Sequence, residues 1–285
     1  YLELFGKKAE IPENGYHGAD IIDTARAIIE QDGDKYLQMD EKDRLEIFKN
    51  RAYEEKLKAL KRDLESFNVT FDKWFSERTL HPEAIKKACE TLKGNGNMYE
   101  KDGALWLKST AYGDDKDRVV IRDNGVPTYF ASDIAYHRDK FVTRGFDRVI
   151  DVWGADHHGY IPRMKAGVEA IGKSADDLDV LLIQLVNLMR DGHPVAMSTR
   201  SGEFVTLKEV LDEVGVDATR FFFLTRRSDS QLDFDLDLAK KQSSDNPVYY
   251  VQYAHARICS ILAQAAERGG QSAGAEGRGA HIDRL

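Results

Sequence analysis

"RVIDVWGADHHGY", residues 148–160, decides how this chain folds. Its first six residues are almost continuously apolar, the pattern of a strand buried on both faces. The next seven enclose an aspartate and two adjacent histidines between glycines. A helix is expected from about Gly159 to Ile171, and "VLLIQLVNLM" (180–189) reads as a second buried strand. Strand, helix and strand in that order predict a parallel α/β sheet with a right-handed crossover. In such a sheet, ligands bind outside the carboxyl ends of the strands. "GADHHGY" leaves one such end and "RDGHPVAMSTRSG" (190–202) leaves the other, so both are expected at one rim. The helix after "GADHHGY" would point free N–H groups and a partial positive charge at that rim, which suits a phosphate or a sugar.

The residues at the rim leave several chemistries open. His157 and His158 are neighbours, and neighbours in an extended segment point apart, so one metal held by both is disfavoured. A surface turn is the plain alternative. Asp233, Asp235 and Asp237 alternate in "QLDFDLDL" and could line one face of a short strand around a metal. An exposed edge strand or a structural network is the simpler use of them. In "AMSTRSG" (196–202), Ser198 and Thr199 could donate hydrogen bonds and Arg200 could supply charge to a triphosphate. In "PTYFASDIAYH" (127–137), Tyr129 and Asp133 stand four apart. A helix is expected from about Ser132 to Thr143; if it begins near Phe130, both side chains reach one pocket. An aromatic platform with a carboxylate suits a cation, above all a guanidinium that can bind in a bidentate way. A capping aspartate beside a packed tyrosine is the structural alternative.

Outward from this centre, residues 1–116 read as mainly helical. Ile21, Ile22, Ala25, Ile28 and Ile29 share one helical stripe. From about Asp40 to Phe67, Leu57, Leu60, Leu64 and Phe67 recur at steps of three and four within a charge-dense amphipathic helix. "VTFDKWFSE" (69–77) alternates as a short strand would, and the glycine turns and apolar run of 93–110 predict strands. "DRVVIRDNGVPTYF" (117–130) is expected to form a hairpin about Asn124-Gly125. Thr206 and Glu209 have capping-box spacing at the start of a helix, and "DATRFFFLTRR" (217–227) predicts another. Asn246 should cap a helix with Pro247 in its first position. The tail from Gly269 is glycine-rich and is expected to be flexible.

With 42% of 285 residues hydrophobic, the chain can bury a core and is long enough for about two domains. A net charge of -8 excludes a uniformly basic nucleic-acid coat but not a local basic patch. Cys89 and Cys259 match no metal or redox spacing and read as reduced, buried thiols of a cytosolic protein. No apolar run reaches the roughly 18 residues of a membrane span, and no signal peptide is visible. The chain opens on Tyr1 within a helical pattern, so a fragment of a longer protein is expected.

Taken together, "NGYHGADI", "VTFDKWFSE", "TYFASDIAYHRDKF", "VWGADHHGYIPRM", "MSTRSGEFVTLKEVLDEVG" and "NPVYYVQYAHARI" resemble the arginyl-tRNA synthetases, a class I aminoacyl-tRNA synthetase family. The resemblance runs over nearly the whole chain. It implies an α/β fold: the second half of a Rossmann-type parallel sheet with a largely helical connective insertion. By resemblance, residues 1–116 are that insertion and 117–189 the second half of the catalytic domain. Residues 190–245 become a stem-contact region with the signature loop, and 246–285 the start of the helical anticodon-binding domain. The implied activity is ATP-dependent activation of arginine and its transfer to tRNA, with Mg2+ accompanying ATP and a cytoplasmic monomer as the expected form. The resemblance places Tyr129, Asp133 and His157 on arginine. Gly154, Asp156, His157, Met189, Met197 and Ser198 fall on ATP. Ser198, Thr199 and Arg200 fall in the catalytic loop. Arg226, Arg227, Arg257 and the face bearing Gln252 and His255 are candidates for tRNA contact.

Two departures stand out. Ala196 and Thr199 occupy the places of the two lysines in the usual Lys-Met-Ser-Lys-Ser loop, and Arg200 could supply part of the missing charge. No histidine here is followed by another three residues on, so the His-x-Gly-His signature of the first half is absent from the chain. The resemblance therefore implies a fragment inactive alone. A metal-dependent phosphoesterase using the Asp-His-His loop, and a non-catalytic tRNA-binding module, are the alternatives.

Overall fold

A computed structural model describes residues 1–9, 15, 18–195 and 205–267 of the chain. Residues 196–204, which include Met197, Ser198, Thr199 and Arg200, lie outside the described residues, as does the glycine-rich tail.

Helices α1 (Ala19–Asp32), α2 (Glu41–Ser66) and α3 (Glu83–Gly94) come first. Strands β1 (Met98–Lys101), β2 (Ala104–Leu107) and β3 (Arg118–Ile121) form an antiparallel sheet in that order. Helix α4 (Tyr129–Arg138) leads through a π turn to β4 (Val149–Gly154). A 3-10 turn (Ala155–Tyr160), α5 (Ile161–Ala170) and β5 (Leu178–Ile183) follow. Next come β6 (Val186–Arg190), β7 (His193–Pro194), α6 (Leu207–Val214), α7 (Val216–Phe223), β8 (Leu232–Asp235), α8 (Leu236–Lys240) and α9 (Pro247–Glu267). Strands β4 and β5 are parallel, paired from Val149–Leu178 to Gly154–Ile183. Strand β6 lies between β7 and β8 in a separate sheet.

The chain divides into two compact units. One holds residues 70–187 and 226–233; the other holds 1–69, 188–225 and the chain from Phe234 onward. The core of the first is a cluster in which Leu92, Leu107, Ile134, Met164, Val168 and Leu178 are fully buried. Helices α4 and α5 approach closely because position 167 is glycine: a Cβ there would lie 3.1 Å from Ile134 Cγ1. The Asn95 and Asn97 side-chain amides both donate to the Ala170 carbonyl, at 3.0 and 2.8 Å, satisfying an orphan acceptor at the end of α5. In the other unit, Glu213 on α6 receives both Arg190 and Lys240. Thr206 and Glu209 form the capping box their spacing predicts. Asn246 accepts from the Val248 amide, as a cap before Pro247 should.

Several elements differ from the sequence expectation. The apolar run 180–189 is two strands in two sheets, not one: β5 ends at Ile183, and the Gln184 amide turns aside to the Ser228 carbonyl. The polar segment from Arg190 therefore leaves β6 rather than β5, the partner of β4. Strand β4 is not buried on both faces. Val149 and Asp151 are buried, whereas Ile150 and Val152 are 61% and 64% exposed. Residues 69–76 form no strand; Phe75 instead stacks on Tyr136 at 4.3 Å. The second arm of the Asn124-Gly125 hairpin shrinks to one bridge, Ile121–Pro127, flanked by the Arg122 and Thr128 amides donating to Val126 and Val120, because Thr128 already caps α4. Helix α4 begins at Tyr129, three residues before Ser132. Ile21, Ile22 and Leu60 of the predicted helical stripes are exposed, and so is Cys259; Cys89 is buried as expected. Among the described residues, no helix is long and apolar enough to cross a membrane.

Candidate active site

Thr128 fixes the start of α4. Its backbone N–H donates to the Val120 carbonyl at 2.9 Å, its hydroxyl donates to Val119, and the same oxygen accepts from the Ala131 amide. This anchors the first turn of the helix on β3 and sets Tyr129 and Asp133 one turn apart. Both line a cavity of about 750 Å³, together with Trp153, Asp156, His157 and Tyr160. The Tyr129 ring is 81% exposed, hence available as a platform. Asp133 is half-buried, and the Tyr160 hydroxyl donates to its Oδ2 at 2.6 Å. Burial raises the Asp133 carboxyl above its ordinary range; the Tyr160 hydrogen bond and the His137 ring oppose this only in part. Tyr160 packs edge-on to Phe130 and Trp153, with the Arg163 guanidinium 4.6 Å over its ring.

Beneath Asp133 lies a buried polar network. His137 Nδ1 is 2.8 Å from the Asp133 carbonyl, and its Nε2 is 2.7 Å from Asp151 Oδ2. Lys140 Nζ donates to Asp151 Oδ1 at 2.7 Å and sits 4.4 Å over the Tyr136 ring. Burial pushes the Asp151 carboxyl up, but His137 and then Lys140 outweigh it and hold it below the usual carboxylate range. The network ties α4 to β4, so the backbone that carries Asp133 is fixed from below.

At the end of β4, the carboxylate of Asp156 folds back over Gly154. A Cβ at position 154 would fall 2.5 Å from Asp156 Oδ1. Asp156 and His157 are exposed and pair with each other at 3.3 Å. Because Asp156 is a short, rotatable side chain, Gly154→Ala should leave stability nearly unchanged yet displace that carboxylate. Thermal unfolding and a crystal structure of the variant would check both halves of this expectation.

The structure thus gathers Tyr129, Asp133, Gly154, Asp156 and His157 around the end of β4. Met189 is half-buried on β6. Arg226 is exposed, and Arg227 is exposed and pairs with Asp229 at 2.8 Å. Arg257, Gln252 and His255 lie exposed on α9. The three aspartates near 235 do not share one face. Strand β8 ends at Asp235, which caps α8. Asp233 accepts from Asn187, and Asp237 accepts from the Asp191 amide. Each carboxylate is taken up locally, which removes support for the phosphoesterase reading. Sequence reasoning missed Tyr160 and the His137–Asp151–Lys140 network. The signal was there in part: His137 and Lys140 lie four and seven residues after Asp133, on one helical face.

A parallel strand pair whose carboxyl end opens onto a cavity with a carboxylate and an aromatic platform is the architecture of a class I synthetase catalytic domain. The chain belongs to the family of class I (R) tRNA synthetases, whose catalytic-domain model matches residues 21–224. It is 60% identical over 270 residues to an arginine–tRNA ligase of Citrifermentans bemidjiense, covering 94% of this chain and 49% of that protein. An arginine–tRNA ligase of Desulfitobacterium hafniense is 56% identical over 275 residues, covering 96% of this chain and 49% of the relative. A solved Campylobacter jejuni structure, assigned as an arginyl-tRNA synthetase, superposes with a TM-score of 0.85 at 40% identity, over 93% of this chain and 57% of that one. Thermus thermophilus arginyl-tRNA synthetase shares the fold at a TM-score of 0.65 and 21% identity, over 93% of this chain and 55% of that one. The chain spans about half the length of the curated relatives it matches.

Proposed function

We propose that this chain supplies the arginine pocket, and one wall of the ATP site, of an arginine–tRNA ligase. In that reaction an arginine carboxylate oxygen bonds to the α-phosphorus of ATP while the bond to pyrophosphate breaks. A terminal ribose hydroxyl of the tRNA then displaces AMP from the arginyl carbonyl. The observation that carries the reading is Asp133: a half-buried carboxylate that shares a cavity of about 750 Å³ with an exposed aromatic ring, Tyr129. A guanidinium can meet both carboxylate oxygens at once, which a lysine ammonium cannot. Tyr129 would lie against the guanidinium plane, and His157 would close the near side.

The adenosine would sit at the end of β4, with its ribose hydroxyls on Asp156 where Gly154 allows close approach. By resemblance to the family, Met189, Met197 and Ser198 would contribute to ATP binding, and Ser198, Thr199 and Arg200 to the chemistry on the phosphates. Mg2+ would shield the phosphate charges. Arg226, Arg227 and Arg257 are the candidate contacts to tRNA, and the protein would act in the cytoplasm as a monomer.

No His-x-Gly-His signature occurs in the sequence. Incubated alone with arginine, ATP, magnesium and tRNA, it should give no arginine-dependent exchange of pyrophosphate into ATP. Exchange at a rate comparable to a full-length arginine–tRNA ligase would overturn that expectation.

A further inference from the structure

The geometry points to Tyr160 as a positioning residue that holds the Asp133 carboxylate, through one of its oxygens, for capture of a guanidinium. The inference rests on the arginine-pocket reading given above and adds a residue to it. A carboxylate in this position has two requirements that conflict. It must be sheltered enough for its attraction to a cation to be strong, and it must still carry its charge. Shelter alone works against the charge, since burial is the largest influence on Asp133 and raises its carboxyl.

Tyr160 answers both needs. Its hydroxyl donates to Asp133 Oδ2 at 2.6 Å, a charge-assisted bond that favours the ionised form. Its ring is wedged between Phe130 and Trp153, so the hydroxyl is delivered from a packed wall. The tyrosine itself stays neutral: burial and the neighbouring Asp133 carboxylate push its hydroxyl well above the ordinary tyrosine range. The other groups that act on Asp133 are His137 on its own helix, Glu77 from the 3-10 segment Glu77–Leu80, and Asp151 from β4. Arg163, on α5, acts on Tyr160. Of these neighbours, His137 lowers the Asp133 carboxyl, whereas Glu77 and Asp151 raise it, so losing the Tyr160 bond leaves the raising influences less opposed.

Tyr160→Phe separates positioning from packing, because the ring and its contacts with Phe130, Trp153 and Arg163 remain. The measurement is the Asp133 carboxyl titration, followed by carbon-13 NMR of the whole chain and assigned with Asp133→Asn. It is paired with calorimetric titration of free L-arginine from pH 5 to 8. In the variant the Asp133 midpoint should move upward. Arginine affinity at neutral pH should fall about tenfold, the size of one charge-assisted hydrogen bond. Binding needs the ionised carboxylate, so it is present above the midpoint and lost as pH falls through it. The acid edge of binding should therefore move to higher pH in the variant. An unmoved Asp133 midpoint would overturn the assignment of Tyr160, whatever happens to arginine. If the midpoint moves but wild-type chain takes up no arginine, or Asp133→Asn takes it up equally well, the arginine pocket fails while the Tyr160–Asp133 coupling stands.

Discussion

Asp133→Asn is expected to weaken L-arginine binding by about 2–5 kcal/mol, roughly thirtyfold or more, while leaving the fold at least as stable as before. The two halves have one cause. The raised carboxyl of Asp133 means that the folded chain disfavours the ionised form. A carboxyl raised on folding costs stability above its folded value, so at neutral pH the fold carries the penalty. Asparagine removes the charge, keeps an oxygen to accept from the Tyr160 hydroxyl, and relieves that penalty. What it cannot do is offer two anionic oxygens to a guanidinium. Calorimetric titration with arginine reads the loss, and thermal unfolding reads the gain or parity. A variant that binds arginine normally would place the guanidinium elsewhere in the cavity.

Asp151→Ala should act in the opposite sense, with little direct effect on chemistry and a large one on stability. It leaves His137 and Lys140 facing each other across a hole, both largely buried, with their shared carboxylate gone. Removing one partner of a buried pair typically costs about 3–5 kcal/mol, because the remaining charge loses its compensation. The loss should concentrate where α4 meets β4, so amide exchange of residues 149–153 should accelerate far more than that of α9. The pH dependence follows from the depressed Asp151 carboxyl. A carboxyl lowered on folding contributes stability that is present above its unfolded value and lost as pH falls through the folded one. Wild type should therefore lose this contribution in acid, and Asp151→Ala should not.

Much of this architecture was legible in the residues themselves. Thr206 with Glu209, Asn246 with Pro247 and the 40–67 helix are local signals, decided by capping and periodicity, and they appear where the spacing put them. The failures are places where a distant partner decides. Nothing within 180–189 announces that the Gln184 amide will leave for Ser228, splitting one apolar run into two strands. Likewise "VTFDKWFSE" alternates as a strand should, yet residues 69–76 form no strand, and Phe75 packs on Tyr136 of α4 instead. At the site, the i to i+4 spacing of Tyr129 and Asp133 was enough to bring both to one cavity. The network under it was not, because Asp151 reaches His137 only after a turn and a strand have been folded back across α4.

Trp153 lies in the cavity wall, edge-on to Tyr160 at 5.9 Å. The chain has three tryptophans, and Trp74 and Trp106 also fall within residues 70–187, so its tryptophan emission arises entirely from the unit that carries the cavity. A molecule settling over Tyr129 alters the surroundings of one indole in three. The protein thus carries its own optical gauge of occupancy, readable in a cuvette without a label.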